Sequence, residues 1–412
     1  MRRTTRLTLV VAFLLLLPPL YAARKYHVYV GRVETDSVLL AWGTADGRNT
    51  IGHSSPSHGR AEILIGGGRI SESHNNWAVI RGLQPDQEYP YEAILNGVRI
   101  GAGVVRTLPA KCDRLAFLVV GDYGNGKRPQ YEVAAAMQRT IDEQARAGNP
   151  VRFILTTGDN IYADQNFRFL KFNSGNKDRH WEKKFFRPYG EIIRSVPFYP
   201  TLGNHDGGES ESSGDLAVYL DNFFFPAPQP SRYYSFSAGG LADFFAIDTT
   251  GIKTESGRPI YEAGGAQLEW LERELGRSVA PWKIAYFHHP PFNAGPGHGP
   301  SLDRIRPFIE LLGKYKVQVA FSGHEHNFQW AARNDVAGGV QYVVTGAGGE
   351  LRAADVRARL PAAGIAAWAP DWHFVLAVIE SGRTRLHVLG PRPVNIVDAA
   401  GKPVSQPFVI ER

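Results

Sequence analysis

Between Leu115 and His326 the chain repeatedly runs a strand-length apolar stretch into a tight polar turn, and the turn residues come from a narrow set. Leu115–Val120 ends in Gly121-Asp122, Phe153–Thr157 in Gly158-Asp159-Asn160, and Phe198–Leu202 in Gly203-Asn204-His205-Asp206. Lys283–Phe287 ends in His288-His289, and Val317–Phe321 leads into Gly323-His324-Glu325-His326. Helical stretches at Gln130–Ala147, Trp181–Arg194, Gly264–Leu275 and Leu302–Leu312 alternate with these runs. Further strands are expected at Tyr233–Phe236, Phe244–Ile247, Val340–Val344, Phe374–Ile379 and Arg385–Leu389. Alternation of this kind predicts a layered α/β domain, here residues 110–412. Ligands of open α/β sheets lie outside the carboxyl ends of the strands, so the five polar ends should converge on one crevice. Singly each is weak, since Gly-Asp often only caps a helix and Gly-His-x-His is an ordinary turn. Five in chain order, each at a strand end, are hard to obtain by accident.

The donor types narrow the chemistry. Cys112 is the only cysteine, which excludes an intramolecular disulfide and any multi-cysteine zinc site. Metal would have to be held by oxygen and imidazole. A pair of cations about 3.5–4 Å apart needs anionic oxygens to offset charge and imidazoles to complete each shell. One carboxylate can bridge both ions, and a water held between them loses a proton near neutrality and can attack phosphorus. Glycine beside the ligands lets the backbone turn tightly, and an Asn amide is a neutral donor that moderates negative charge facing a phosphate.

From Tyr26 to Pro109 the pattern is different: short alternating runs at His27–Val33, Ser37–Trp42, Ala61–Ile65, Trp77–Arg81, Tyr89–Leu95 and Val104–Thr107, with turns such as Asn96-Gly97 between them. A β-sandwich over residues 24–109 is expected, with Trp42 in its core. His27, His53, His58 and His74 show no shared ligand spacing and read as surface or loop residues. Before the sandwich, a basic stretch at Arg2-Arg3-Thr4-Thr5-Arg6 leads into an apolar run, Leu7–Leu17, which Pro18-Pro19 breaks ahead of Ala22-Ala23. This is the layout of a secretory signal over residues 1–23, so export and a mature chain starting near Arg24 are expected, with no membrane span after signal removal. Arg2, Arg3 and Arg6 supply half of the formal charge of +6, and no Lys/Arg block follows, so a nucleic-acid partner is not expected.

Gly121-Asp122, Gly158-Asp159-Asn160-Ile161-Tyr162, Gly203-Asn204-His205-Asp206, His288-x-Pro290 and Gly323-His324-x-His326 together resemble the five blocks of the purple acid phosphatases, a branch of the calcineurin-like metallophosphoesterases. The resemblance covers about Leu115 to Leu389, and it extends to the N-terminal module, where Leu83-Gln84-Pro85-Asp86-Gln87-Glu88-Tyr89 looks like the tyrosine corner of fibronectin type III domains. Many related phosphoesterases carry Asp-x-His in the first block. Here Gly124 stands at that histidine's position, and Tyr162, three residues after Asp159, matches the tyrosine that marks the purple branch.

Carried over by position, the resemblance implies Asp122, Tyr162 and His326 on a first metal, Fe(III), with Asp159 bridging. Asn204, His288 and His324 would hold a second metal: Fe(II), Zn(II) or Mn(II). The His-x-Pro spacing selects His288, although His289-Pro290-Pro291 leaves His289 as an alternative. His205 is implied to bind the phosphate or protonate the leaving alkoxide, with Asp206 close enough in sequence to orient it, and His298 matches a substrate-side histidine. Seven basic residues between Arg168 and Arg187 (Arg168, Lys171, Lys177, Arg179, Lys183, Lys184 and Arg187) add positive charge that would steer anions to the site, although most of them read as a solvated helix and loop and none is assigned a role. The resemblance therefore implies an exported dinuclear acid phosphatase acting on small phosphate monoesters. The alternatives are a phosphodiesterase or nucleotide pyrophosphatase, or a binding protein with an inert site.

Overall fold

The computed structural model describes residues 26–43, 58–162, 181–206, 219, 222–223, 231–251, 259–333 and 336–412. The expected signal, His53, and the basic positions Arg168, Lys171, Lys177 and Arg179 lie outside the described residues. Among the described residues no helix is long and apolar enough to cross a membrane.

Among the described residues seven strands come first: β1 (His27–Val33), β2 (Ser37–Gly43), β3 (Ala61–Ile65), β4 (Arg69–Ser73), β5 (Trp77–Arg81), β6 (Glu88–Leu95) and β7 (Val98–Arg106). They make two antiparallel sheets, ordered β1-β2-β5 and β4-β3-β6-β7, an all-β arrangement consistent with the fibronectin-like module. Trp42 is fully buried. The hydroxyl of Tyr89 accepts a hydrogen bond from the Gln84 N–H at 2.8 Å, which is the bond a tyrosine corner requires. β4 was not expected, because its sequence offers a single apolar residue and no alternation. β7 begins at Val98 rather than Val104. A Cβ at its Gly101 would collide with Val28, and one at its Gly103 with Tyr91 and the Arg194 carbonyl. Close packing, not a turn, is what they serve.

The larger unit contains β8 (Arg114–Val120), α1 (Arg128–Arg146), β9 (Val151–Thr156), β10 (Phe198–Pro200), β11 (Tyr234–Ala238), β12 (Ala242–Ala246) and α2 (Ala266–Arg277). It continues with β13 (Trp282–Tyr286), α3 (Leu302–Lys314), β14 (Val319–Ser322), β15 (Phe328–Ala331), β16 (Gln341–Thr345), β17 (Ile365–Ala369), β18 (Phe374–Glu380), β19 (Arg383–Leu389) and β20 (Phe408–Glu411). A six-stranded sheet, β10-β9-β8-β18-β19-β20, packs on a seven-stranded sheet, β11-β12-β13-β14-β16-β15-β17. Aromatic side chains fill the space between them: Phe117 and Phe153 of the first sheet meet Phe244 of the second edge-on, at ring separations of 5.2 and 5.1 Å. Alternate strand residues face outward, so Phe245, Ala285 and Ala320 join a second core with Leu271 and Leu275 of α2 and Phe308 and Leu312 of α3. The parallel runs β10-β9-β8 and β12-β13-β14-β16 point their carboxyl ends at the same edge of the two sheets, as the turn pattern predicts.

Two expectations need correction. The stretch Trp181–Arg194 is not one helix but a π-turn at Glu182–Phe186 and a 3-10 turn at Ile192–Arg194, since Pro188 lacks the N–H a helix would use and Gly190 disfavours continuation. His27 is not a surface residue: it is buried, bonded to the Glu182 carboxylate, and stacked on Phe186 at 5.0 Å. That burial comes from contact between the sandwich and the larger unit, which single-strand periodicity does not reveal. The same contact includes Tyr91 donating to the Arg194 carbonyl at 2.8 Å and a half-buried Arg152 paired with Asp86 at 2.7 Å.

Candidate metal centre

Each strand end delivers its polar residue to one place. Asp122 follows β8, Asp159 follows β9, Asn204 follows β10, His288 follows β13, and His324 and His326 follow β14. Asp122, Asp159 and His324 have φ of 56°, 51° and 68°, in the left-handed region that non-glycine residues seldom occupy. Strain of this kind persists only where surrounding structure over-determines it, and it gathers at functional sites.

The side chains form two adjoining sets. Ligand atoms of Asp122, Asp159 and His326 lie within 4.8 Å of one another, as do those of His288, His289 and His324. The Tyr162 hydroxyl joins the first set, 3.2 Å from Asp122 Oδ1 and 3.1 Å from His326 Nε2. Asn204 joins the second, its Oδ1 2.9 Å from His288 Nε2, and His324 Nδ1 is 3.1 Å from the same nitrogen. Asp159 lies between the sets, with Oδ2 3.5 Å from His288 Nε2. All seven residues expected as ligands are thus brought together.

The two neighbouring histidines part company. His288 Nδ1 is 2.8 Å from the Thr157 carbonyl, which must accept a proton from it. This fixes the tautomer and leaves the Nε2 lone pair facing Asn204, His324 and Asp159. His289 Nδ1 instead lies 3.0 Å from the hydroxyl of Thr249, in the loop after β12.

Gly124 explains why this chain uses a tyrosine. A Cβ there would overlap the carbonyl of Asn160, so no histidine side chain can enter from that position. The Tyr162 N–H instead bonds the Gly124 carbonyl at 2.8 Å, which brings its phenol to Asp122.

Residues outside the cluster hold it in shape. Asp206 does not orient His205, as its place in sequence suggested. Its buried carboxylate accepts from the N–H groups of Asn160 (2.8 Å), Ile161 (3.1 Å) and Gly203 (2.8 Å) and from the Asn160 amide (2.8 Å), tying two ligand turns together. Lys184, expected in a solvated segment, is fully buried and donates to the Tyr162 carbonyl at 2.5 Å. The turn after β16 lies against the first block: Gly348 N–H bonds the Gly121 carbonyl at 2.9 Å and Glu350 N–H the Asp122 carbonyl at 3.0 Å.

The two remaining histidines flank the ligands. His205 donates its backbone N–H to Asp159 Oδ1 at 2.9 Å, and its ring lies 4.6 Å from that of Tyr162. His298 stacks on His324 at 3.8 Å with only 17° between the rings. Its loop is held by a buried amide network in which Gln329 donates to Asn293 and Asn327 at 2.8 and 2.9 Å and accepts from Ala294 N–H at 2.9 Å. Asn327 and Gln329 were missed in the sequence, although two amides at and just before the start of β15, directly after His324-x-His326, are a legible anomaly in an otherwise apolar run.

The electrostatics suit cations. Burial pushes the Asp122 carboxyl well above its usual range, with repulsion from Asp159 adding to it. Burial also acts upward on Asp159, but His288, His205 and the His205 N–H outweigh it and hold that carboxylate low. Burial depresses His288, His324 and His326, the last to about 4, so all three imidazoles are neutral at pH 7 and keep a nitrogen lone pair. Burial, then Asp122 and Asp159, drive the Tyr162 phenol upward, which only a nearby cation would reverse. Two buried carboxylates, three neutral imidazoles, a phenol and an amide oxygen fit a pair of metal ions.

Residues 115–328, just over half of the chain, match the family model of the calcineurin-like phosphoesterases. The chain belongs to that family. The chain is 23% identical over 333 residues to an uncharacterized protein of Mycobacterium tuberculosis, covering 74% of this chain and 61% of that protein. It is 28% identical over 314 residues to purple acid phosphatase 23 of Arabidopsis thaliana, covering 68% of this chain and 63% of that protein. It thus spans about six-tenths of the length of these relatives. Its fold is like that of purple acid phosphatase PPD1 from yellow lupin seeds, with a TM-score of 0.66 at 16% identity over 93% of this chain and 74% of the lupin chain.

Proposed function

We propose that this phosphoesterase is an exported, two-metal acid phosphatase that hydrolyses phosphate monoesters, with Fe(III) at the tyrosine-containing set and Fe(II), Zn(II) or Mn(II) at the other. The observation that carries the reading is the Tyr162 phenol, seated between Asp122 and His326 at 3.2 and 3.1 Å where Gly124 leaves no room for another side chain. Phenolate is a hard anionic donor and favours ferric iron over softer cations. Asp122, Tyr162 and His326 would hold one ion, Asn204, His288 and His324 the other, and Asp159 both. Bound there, the ions would supply an activated water and offset the charge of the phosphate.

The chain's own residues do the rest. His288 and His324 present unprotonated nitrogens because burial keeps them neutral. His205, steadied by its N–H bond to Asp159 and its packing on Tyr162, is assigned to hold the phosphate or to protonate the departing alkoxide. His298 assists from the His324 side. An acidic optimum and small-molecule esters as substrates belong to the same proposal. Export rests on the basic and apolar segments before Arg24, and exported protein whose N-terminus is Met1 would overturn it.

Metal analysis by mass spectrometry with a visible spectrum, followed by turnover of p-nitrophenyl phosphate and of its bis-ester, tests the reading. Two equivalents of metal, a visible band that Tyr162→Phe removes, and faster monoester turnover are expected. Faster bis-ester turnover would instead make the protein a phosphodiesterase, and an inert metal-loaded protein would exclude both. His205→Ala should keep both metals and lower kcat by about 100-fold or more, within the usual contribution of general acid catalysis.

A further inference from the structure

Arg352 lies just beyond the Gly346–Gly349 turn and reaches the edge of the His298 and His324 stack. Its Nη1 donates to the His324 carbonyl at 3.2 Å and stands 3.0 Å from His298 Nδ1 and 3.5 Å from Glu325 Oε1. Its Nε and Nη2 have no acceptor among the described residues, and the side chain keeps 28% of its exposure. The seat is tight, because a Cβ at Gly297 would overlap the guanidinium. Glycine at this position serves the arginine. Glu325 is fully buried and also accepts from the N–H groups of Gly297 and His298, at 3.1 and 2.8 Å, so its charge is shared. One shared carboxylate does not use up a fork of five donors.

A guanidinium anchored along one edge and open along the other is suited to recognising a carboxylate or phosphate through two parallel hydrogen bonds. Arg352 is held at His298, the His324 carbonyl and Glu325 and makes no hydrogen bond to Asp159, Tyr162 or His205, which sets it beside the second ligand set and not within the first. We infer that Arg352 binds a second anionic group on the leaving alcohol, which makes the site selective for phosphate esters whose alcohol itself carries a carboxylate or a phosphate. This rests on the phosphatase reading above.

The test compares kcat/KM for glycerol 3-phosphate, 3-phosphoglycerate and propane-1,3-diol bisphosphate, in the wild type and in Arg352→Gln and Arg352→Lys. The wild type should favour at least one of the two anionic esters, and which one distinguishes carboxylate from phosphate. Arg352→Gln should lower that preference by about 10- to 100-fold, mainly through KM, the range expected for a hydrogen bond to a charged group. Arg352→Lys should fall between, keeping the charge but not the fork. An unchanged ratio, with all esters falling by the same factor, would mean that Arg352 is only the counter-ion of Glu325, and absence of any wild-type preference would equally overturn the inference. Calorimetric binding of inorganic phosphate and pyrophosphate to the metal-loaded proteins gives a second readout. Arg352→Gln should reduce the pyrophosphate-to-phosphate affinity ratio by a similar factor, and an unchanged ratio overturns the inference. If no ester is hydrolysed, the phosphatase reading fails while this ratio still decides the role of Arg352.

Discussion

His373 should make the fold lose stability in acid, by an amount the structure allows one to work out. It stands just before β18, fully buried, with Nδ1 2.8 Å from the Asp371 carbonyl and no hydrogen-bond partner for Nε2 among the described residues. Its backbone N–H bonds the Ala347 carbonyl at 3.1 Å, in the glycine turn that lies against Asp122. Burial pushes its pKa down from 6.5 to about 4, and the Asp371 carbonyl and carboxylate oppose that only in part. Because the folded pKa is depressed, the unfolded chain takes up the proton first as pH falls. Stability is therefore full above pH 6.5 and drops by about 1.4 kcal/mol per pH unit down to pH 4, about 3 kcal/mol in all. Urea melts of the chelated wild type and of His373→Phe between pH 7.5 and 4 measure this. Phenylalanine imposes a packing offset that does not vary with pH, and the acid-labile ligand histidines are the same in both proteins. The stability difference should move by about 3 kcal/mol in favour of the variant across that range. Parallel curves, within about 1 kcal/mol, would refute the reasoning.

Three further outcomes follow from the geometry of the site. Asp206→Ala leaves three buried backbone N–H groups without an acceptor and takes one of two acceptors from the Asn160 amide, and should cost about 4 kcal/mol along with bound metal, while a melting temperature within about 2 °C of the wild type would contradict the bracing role. Gly124→Ala forces a methyl group into the Asn160 carbonyl and should shift Tyr162 away from Asp122, lowering activity by about 100-fold or more, and an unimpaired enzyme would show that the turn yields. His288→Ala should lose one metal equivalent and His289→Ala should keep both, as read by mass spectrometry, and the reverse result would reassign the ligand.

What could be read from the sequence divides along a physical line. The strand ends were legible because each is a short-range pattern, an apolar run closed by glycine and a donor, and sheet topology then brings such ends together. Trp42 and the Gln84–Tyr89 bond were legible for the same reason. β4, β15, β17 and β20 were not, because pairing to a neighbour, more than alternation, makes them strands. His27, Lys184 and Asp206 were misjudged together. Each is a polar residue whose partner lies on another element, and the burial of a charged side chain depends on that partner.

Those misjudged residues carry the deeper point about the site. Three left-handed turns at Asp122, Asp159 and His324 cost on the order of 1–3 kcal/mol each, and two buried carboxylates repel one another before any cation arrives. Backbone donors offset part of this: His324 N–H bonds both oxygens of Asp122 at 3.0 Å, and His205 N–H bonds Asp159 at 2.9 Å. Asp206 and Lys184 supply the remainder by fixing the turns that bear Asp159, Asn204 and Tyr162. The ligands are therefore positioned by the scaffold and not gathered by the metal, so metal binding energy need not be spent on ordering the site. It follows that residues outside the ligand set fix the ligand geometry, and that Asp206, four residues beyond the Phe198–Leu202 run and bonded to the turns that bear Asp159 and Asn204, is as much a part of the centre as the side chains that face it.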